Sequence, residues 1–346
     1  MEFIGLHKQI TQQGIAGLND LYLPYEDNYS FFGLGVKFKS NSLNLLTKLA
    51  KSYAHFLSET GPPEIEFRFI ENGPRLCNLA FITPVSKYFI YKTNNGIIAV
   101  YCEGETQETK TAYLGESPKR KLPLDRVKVI NGAADNGQVF SIIEFLVTAA
   151  VAGLSKQTLF FHAASLAWQG NGIILAGETG HGKTTLSVGL ACAGFNLLSD
   201  EVTCLDLTAH KLLPFPQPIY LRGNALNFLK PVPLGERTGC QDSRGEQRWP
   251  VNLEKAGIRF EKGACPPVFF FILKGFKEQP EISPASVREA IWYTLSSAYA
   301  KISDPPRMLL DLGSAFGQLK CYHLWSGRIE ETTGLIRKLI NREMVC

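Results

Sequence analysis

The sequence predicts an α/β protein in two parts, an α+β accessory domain over residues 1–137 and a larger α/β domain over residues 138–346. Three observations predict it. A short apolar run, Ile173-Ile174-Leu175-Ala176, enters a glycine-rich loop, then a helical pattern, then a second apolar run that ends on Asp200-Glu201. Turn formers crowd into Asn131-Gly132-Ala133-Ala134-Asp135-Asn136-Gly137, which has the composition of a boundary. Ahead of that boundary, short β-rich runs alternate with polar turns. At 346 residues the chain exceeds the usual single-domain size, which agrees with one large or two moderate domains.

In the first part, Leu43 to Ser58 carries apolar residues at helical spacing, at Leu45, Leu46, Leu49 and Phe56. Phe67-Arg68-Phe69-Ile70 and Tyr88-Phe89-Ile90-Tyr91-Lys92 have strand composition. Ile97-Ile98-Ala99-Val100-Tyr101 follows Asn94-Asn95-Gly96, so the last two runs form a hairpin. No constellation of reactive side chains stands out there, and a substrate or assembly role is expected. In the second part, Val139 to Leu154 is the longest apolar stretch. It contains Glu144, is short for a membrane span, and reads as a buried or half-buried helix ending at Gly153.

Thr158–Ala163 and Ser165–Trp168 read as strands before the turn Gln169-Gly170-Asn171-Gly172. Leu213 to Pro267 is irregular and proline-rich, the kind of long loop that is functional or mobile. Val268–Leu273 is a fully buried strand, and helices are expected over Ser283–Tyr299 and Ile329–Asn341.

A formal charge of +4 is too small to imply a nucleic-acid partner. Lys119-Arg120-Lys121 with Arg126 and Lys128 is interrupted by Pro123 and Asp125, lacks aromatics, and reads as a solvated loop. Eight cysteines show no short C-x-x-C pair, which fits a reducing compartment rather than a disulfide or zinc framework. The first residues lack a signal-peptide pattern, because Glu2 and His7 interrupt the apolar start. The expectation is a cytoplasmic protein with no membrane partner.

Gly177-Glu178-Thr179-Gly180-His181-Gly182-Lys183-Thr184 satisfies G-x-x-x-x-G-K-[ST] at every fixed position. Glycines let the backbone curl so that successive N–H groups converge on phosphate oxygens, and the helix that follows adds its positive end. The pattern assigns Lys183 to the β- and γ-phosphates and the Thr184 hydroxyl to Mg²⁺, with Thr185 closing the nucleotide-binding set. Chance would produce the four fixed positions in roughly one chain of this length in a hundred. The strand before and the helix Thr185–Cys192 after, with Leu186 and Leu190 four apart, make chance the poorer account. His181 is expected to point outward while its backbone binds.

The loop alone fits kinases, switches, motors and transporters, so the acidic partners decide. Gly194 stops the helix, Phe195-Asn196-Leu197-Leu198 forms a short strand, and Asp200 and Glu201 fall at its end, where α/β sheets collect ligands. One carboxylate suits Mg²⁺ and the other suits the proton of an attacking hydroxyl. Adjacent strand residues face opposite ways, which favours different jobs for the pair. His162 sits in an apolar run, where it is either a buried, hydrogen-bonded histidine or a group that polarises phosphate or orients a carboxylate.

At these residues the chain resembles the catalytic domain of HPr kinase/phosphorylase and its serine-kinase-like relatives, in the fold group shared with phosphoenolpyruvate carboxykinase. The resemblance rests on Phe161-His162-Ala163, the loop Gly177–Thr185, the helix to Gly194 and Leu197-Leu198-Ser199-Asp200-Glu201. It extends more loosely to Pro214-Phe215-Pro216-Gln217-Pro218-Ile219 and Tyr322-His323-Leu324. It implies a P-loop-containing catalytic domain that uses ATP and Mg²⁺. By position it implies His162 as the family's active-site histidine, Asp200 as the general base, and Glu201 with Thr184 as metal ligands. An aspartate stands in place of Glu201 in the HPr enzymes. Arg222 matches the arginine of a Glu-Val-Arg-Gly signature, but Tyr220 occupies its glutamate position. That departure, with an unlike N-terminal part, points away from HPr itself as substrate.

The expected activity is therefore ATP-dependent phosphorylation of a hydroxyl on a small molecule, free amino acid or peptide or protein serine. Lys183 and Arg222 would offset charge on the transferring group. The resemblance also implies self-association into a homo-oligomer. The alternative is a nucleotide-dependent switch or slow ATPase assembly module with no acceptor.

Overall fold

The computed structural model describes residues 22–58, 63–70, 76–82, 87–93, 98–103, 136–229, 232–235, 240–241, 247–300 and 302–345. The basic run around Lys119 and the turn at Asn94-Asn95-Gly96 lie outside these residues. The chain divides into two compact units, Met1–Leu154 and Ser155–Cys346.

The first unit is built on a six-stranded sheet in sequence order: β1 (Tyr25–Phe31), β2 (Leu34–Ser40), β3 (Ile65–Ile70), β4 (Leu76–Ile82), β5 (Lys87–Thr93) and β6 (Ile98–Glu103). All neighbours are antiparallel except β2 and β3, which run parallel across helix α1 (Leu43–Ser52). The expected hairpin is present as β5 and β6. Leu46 and Leu49 on α1 are buried, and Tyr29, Phe31, Phe38, Tyr53 and Phe56 interlock beside them, with Phe31 and Phe56 stacked at 4.5 Å.

The helix expected to continue to Ser58 stops at Tyr53 and tightens into a single 3-10 turn at Ala54–Phe56. Helix α2 (Asn136–Leu154) belongs to this unit and not, as the turn-rich segment suggested, to the second. Its Glu144 accepts a hydrogen bond from Ser52 Oγ at 2.5 Å, and its carbonyl accepts one from Tyr53 at 3.2 Å. Among the described residues no helix is long and apolar enough to cross a membrane.

The second unit has three layers. Its strands are β7 (Thr158–Phe161), β8 (Ala164–Trp168), β9 (Asn171–Gly177), β10 (Asn196–Ser199), β11 (Thr203–Asp206), β12 (Lys211–Leu213), β13 (Tyr220–Arg222), β14 (Cys240–Gln241), β15 (Gln247–Pro250), β16 (Pro267–Phe276), β17 (Glu281–Pro284) and β18 (Lys320–Ser326). The central sheet runs β10-β8-β9-β16-β18-β17, with β9, β16 and β18 parallel and β8 reversed between β9 and β10.

Alternation along the strands feeds two cores. Ile173, Leu175, Phe269, Phe271 and Leu273 pack with α3 (Lys183–Cys192) and the C-terminal helix α6 (Ile329–Val345). Ile174, Ala176, Phe270 and Ile272 pack with β7, β11 and β12 and with α4 (Val287–Ser296) and α5 (Pro305–Ala315). A strand buried on both faces has no polar alternation, as the run Val268–Leu273 foretold.

The helix expected over Ser283–Tyr299 is shorter, because β17 occupies its first residues and the helix begins only after Ser286. Ser286 and Glu289 form a capping box that fixes this start. Glu289 also bonds His323 of β18 at 2.9 Å. These bonds, led by the Ser286 backbone N–H, hold its carboxyl down to about 2.

Helices α3 and α6 meet at Gly189, where a Cβ would lie 2.5 Å from Cγ1 of Ile329. On an exposed helix, Gly→Ala stabilises by up to about 1 kcal/mol. Here the sign should reverse. Gly189→Ala is expected to lower the free energy of unfolding by about 1–2 kcal/mol through overpacking, read as a reduced urea midpoint.

Candidate functional site

Strand pairing gathers the candidate residues on one edge of the central sheet. Leu273 of β16 stands beside Gly177, the last residue of β9, and β16 runs on past that level to Phe276. Ala164 pairs with Leu175, which puts the start of β8, and His162 just before it, at that level too. Ser199 pairs with Ser165, so β10 ends there as well and delivers Asp200 and Glu201. β8 lies between β10 and the loop-bearing strand β9.

The loop Gly177–Gly182 joins β9 to α3. Gly180 and Gly182 adopt φ of 93° and 83°, a left-handed backbone that side chains disfavour. Glu178, Thr179 and Gly180 are exposed. His181 N donates to the Glu178 carbonyl at 3.2 Å, and the first main-chain bond into the helix is Leu186 N to Gly182 O at 2.9 Å. The N–H groups of Thr184 and Thr185 precede that bond and point out of the helix start, where a negative charge is favoured. His181 does not point outward as expected. Its Nδ1 lies 2.9 Å from the Leu273 carbonyl, which pins the loop to the end of β16.

Lys183 is only 8% exposed, and its ammonium donates to the carbonyls of Gly177 at 2.7 Å and Glu178 at 3.3 Å. An ammonium taken out of water is costly unless oxygens converge on it. The Asp200 carboxylate feels the charge of Lys183. Ser187 Oγ donates to Asp200 Oδ1, and the Thr184 hydroxyl is hydrogen-bonded to the same carboxylate. Burial is the main influence on Asp200 and pushes it up to about 6. Glu201 pushes in the same direction, while Ser187, Thr184 and Lys183 oppose it.

Glu201, in the bend that follows β10, is exposed. His162 Nδ1 is 3.1 Å from the Glu201 carbonyl and 3.9 Å from its Oε1, and the His162 backbone N–H donates to Ser297 O at 2.9 Å. The histidine is thus half-buried and positioned against the acidic pair. Arg222 lies on the separate three-stranded sheet β13-β15-β14, opposite Arg248 in register, and Leu221 beside it is buried in the core shared with Leu186 and Leu190.

Four further side chains join this edge. Ser187 stands four residues after Lys183, one helical turn on, so its spacing was readable in the sequence. Tyr299 lies near Glu201, and burial, with Glu201 adding to it, raises its phenol well above the ordinary range. Lys274 follows Leu273 at the loop's other flank, its ammonium 5.9 Å over the ring of Tyr293, whose own phenol is raised by burial and then by Glu178 and Glu289. Neither tyrosine is announced by any local motif.

The arrangement is able to hold a polyanion on backbone donors and a cation, with one enclosed and one open carboxylate beside it. Among the described residues no group of three or more His, Cys, Asp or Glu gathers to hold a metal by protein ligands alone.

An acid whose pKa is higher folded than unfolded contributes stability at low pH that is lost as pH rises through the folded value. For Asp200 this window runs from about 4 to about 6. Asp200→Asn should therefore raise the melting temperature of the ligand-free protein at pH 7.5, by a free energy on the order of 1–3 kcal/mol. The gain should shrink towards pH 4. Thermal melts of both proteins across pH 4–8 would check it.

Comparison with protein-family models matches no family to this chain, and comparison with curated proteins finds no match either.

Proposed function

We propose that the chain is an ATP-dependent phosphotransferase that moves the γ-phosphoryl group to a hydroxyl of a small molecule, a free amino acid or a peptide or protein serine. The observation that carries this reading is one cluster: buried Lys183 in a glycine loop, Thr184 at the helix start, and Asp200 joined to Ser187 behind them. The HPr kinase-like resemblance, with a P-loop catalytic domain in a cytoplasmic and self-associating protein, belongs to the same reading.

In this mechanism the exposed loop Glu178–Gly180 admits the triphosphate, and the N–H groups at the start of α3 receive its oxygens. Lys183 exchanges its bonds to Gly177 and Glu178 for phosphate oxygens. Thr184 and Glu201 would hold Mg²⁺, all through hard oxygen donors, and the ion would neutralise charge on the β- and γ-phosphates. His162 fixes the turn that carries Glu201 through its bond to the Glu201 carbonyl.

Asp200 takes the proton of the acceptor hydroxyl as its oxygen bonds to Pγ and the bond from Pγ to the bridging oxygen of ADP breaks. Lys183 and Arg222 offset the charge that spreads over the transferring group.

The test is ADP production from Mg-ATP with a panel of amino acids, nucleosides, polyols and serine peptides. Wild type should show acceptor-dependent turnover, and Asp200→Asn and Lys183→Ala should each reduce it at least about a hundredfold. ADP release that no acceptor accelerates would overturn the kinase and leave a slow ATPase or switch.

A further inference from the structure

The loop has an aromatic neighbour for which the phosphate chemistry gives no use. Phe276, the last residue of β16, is 61% exposed although it is a large apolar side chain at the functional edge of the sheet. Its position is defined by the loop. A Cβ placed on Gly182 would lie 3.0 Å from Cζ and 3.2 Å from Cε1 of its ring, so the ring rests on the backbone of Gly182, directly before Lys183. One side of the ring is covered by main chain and the rest stands in water.

We propose that Phe276 is the platform for the nucleobase and that the base of a nucleoside triphosphate stacks on its exposed face. The inference rests on the nucleotide-binding part of the reading above and is independent of any acceptor. Three physical points support it. Every base presents a π-face, so an exposed ring beside a phosphate site captures the apolar end of a molecule whose other end is polyanionic.

Position agrees as well. The N–H groups of Thr184 and Thr185 stand at the helix start that follows Gly182, and the ring packed on Gly182 flanks that start. The surroundings are also settled without the ring. The adjacent Lys277 is committed to Glu281 at 2.5 Å and to the Trp325 ring at 4.2 Å, so the platform is flanked by fixed groups. Gly182 then has a second role beyond its positive φ, since any side chain there would push the ring off the loop.

Binding of ATP and of inorganic tripolyphosphate, each with Mg²⁺, separates the base from the phosphates. Calorimetric titration of the full chain should give tighter binding of ATP than of tripolyphosphate for wild type. Phe276→Ala should weaken ATP about tenfold and leave tripolyphosphate within about twofold, while Phe276→Tyr keeps ATP binding. An unchanged ATP affinity in Phe276→Ala would overturn the assignment. So would equal weakening of both ligands, which would mean that the ring only props the loop. Wild type that binds neither ligand would instead sink the nucleotide reading itself, and this inference with it.

Discussion

The second unit is organised around an ammonium group that has been taken out of water. Lys183 is almost fully enclosed, and such a charge persists only where oxygens converge on it. The loop carbonyls of Gly177 and Glu178 supply two, and the Asp200 carboxylate adds its field from the end of a strand two positions away in the sheet. Each of these requires the others. Without the left-handed glycines the loop could not fold back to meet the lysine, and without Ser187 and Thr184 the enclosed carboxylate would lack donors.

Sheet direction is what makes a local motif into a site. Because β9, β10 and β16 all end on one edge, segments far apart in the chain deliver unlike groups to one place: backbone donors, carboxylates and a second lysine. β8 is the exception that completes it. Running the opposite way, it begins where the others end, and so His162 enters from the same side as Glu201.

Much of this was legible in the residues. The loop and its helix, the buried run Val268–Leu273 and the strand ending in Asp200-Glu201 were readable because each has a local cause: glycine geometry, double-sided burial, or a charge that terminates an apolar run. What escaped depends on tertiary contact. Nothing near His181 foretells that its ring turns back to Leu273, nor does the sequence around Tyr299 or Tyr293 foretell their places. Helix ends were misjudged where a cap overrode periodicity, at Ser286, and α2 was misassigned because its partners Ser52 and Tyr53 lie far back in the chain.

The reversal between β8 and β9 has a practical corollary. Their connection at Gln169–Gly170, with both residues at positive φ, is a tight, solvent-exposed bend on the opposite rim of the sheet. A strand of five to seven residues separates it from the glycine loop by roughly 17–23 Å. Inserted tags, fluorophores or tethers at that bend would stand clear of Lys183 and Asp200, giving a handle for immobilising the molecule with the glycine loop facing outward.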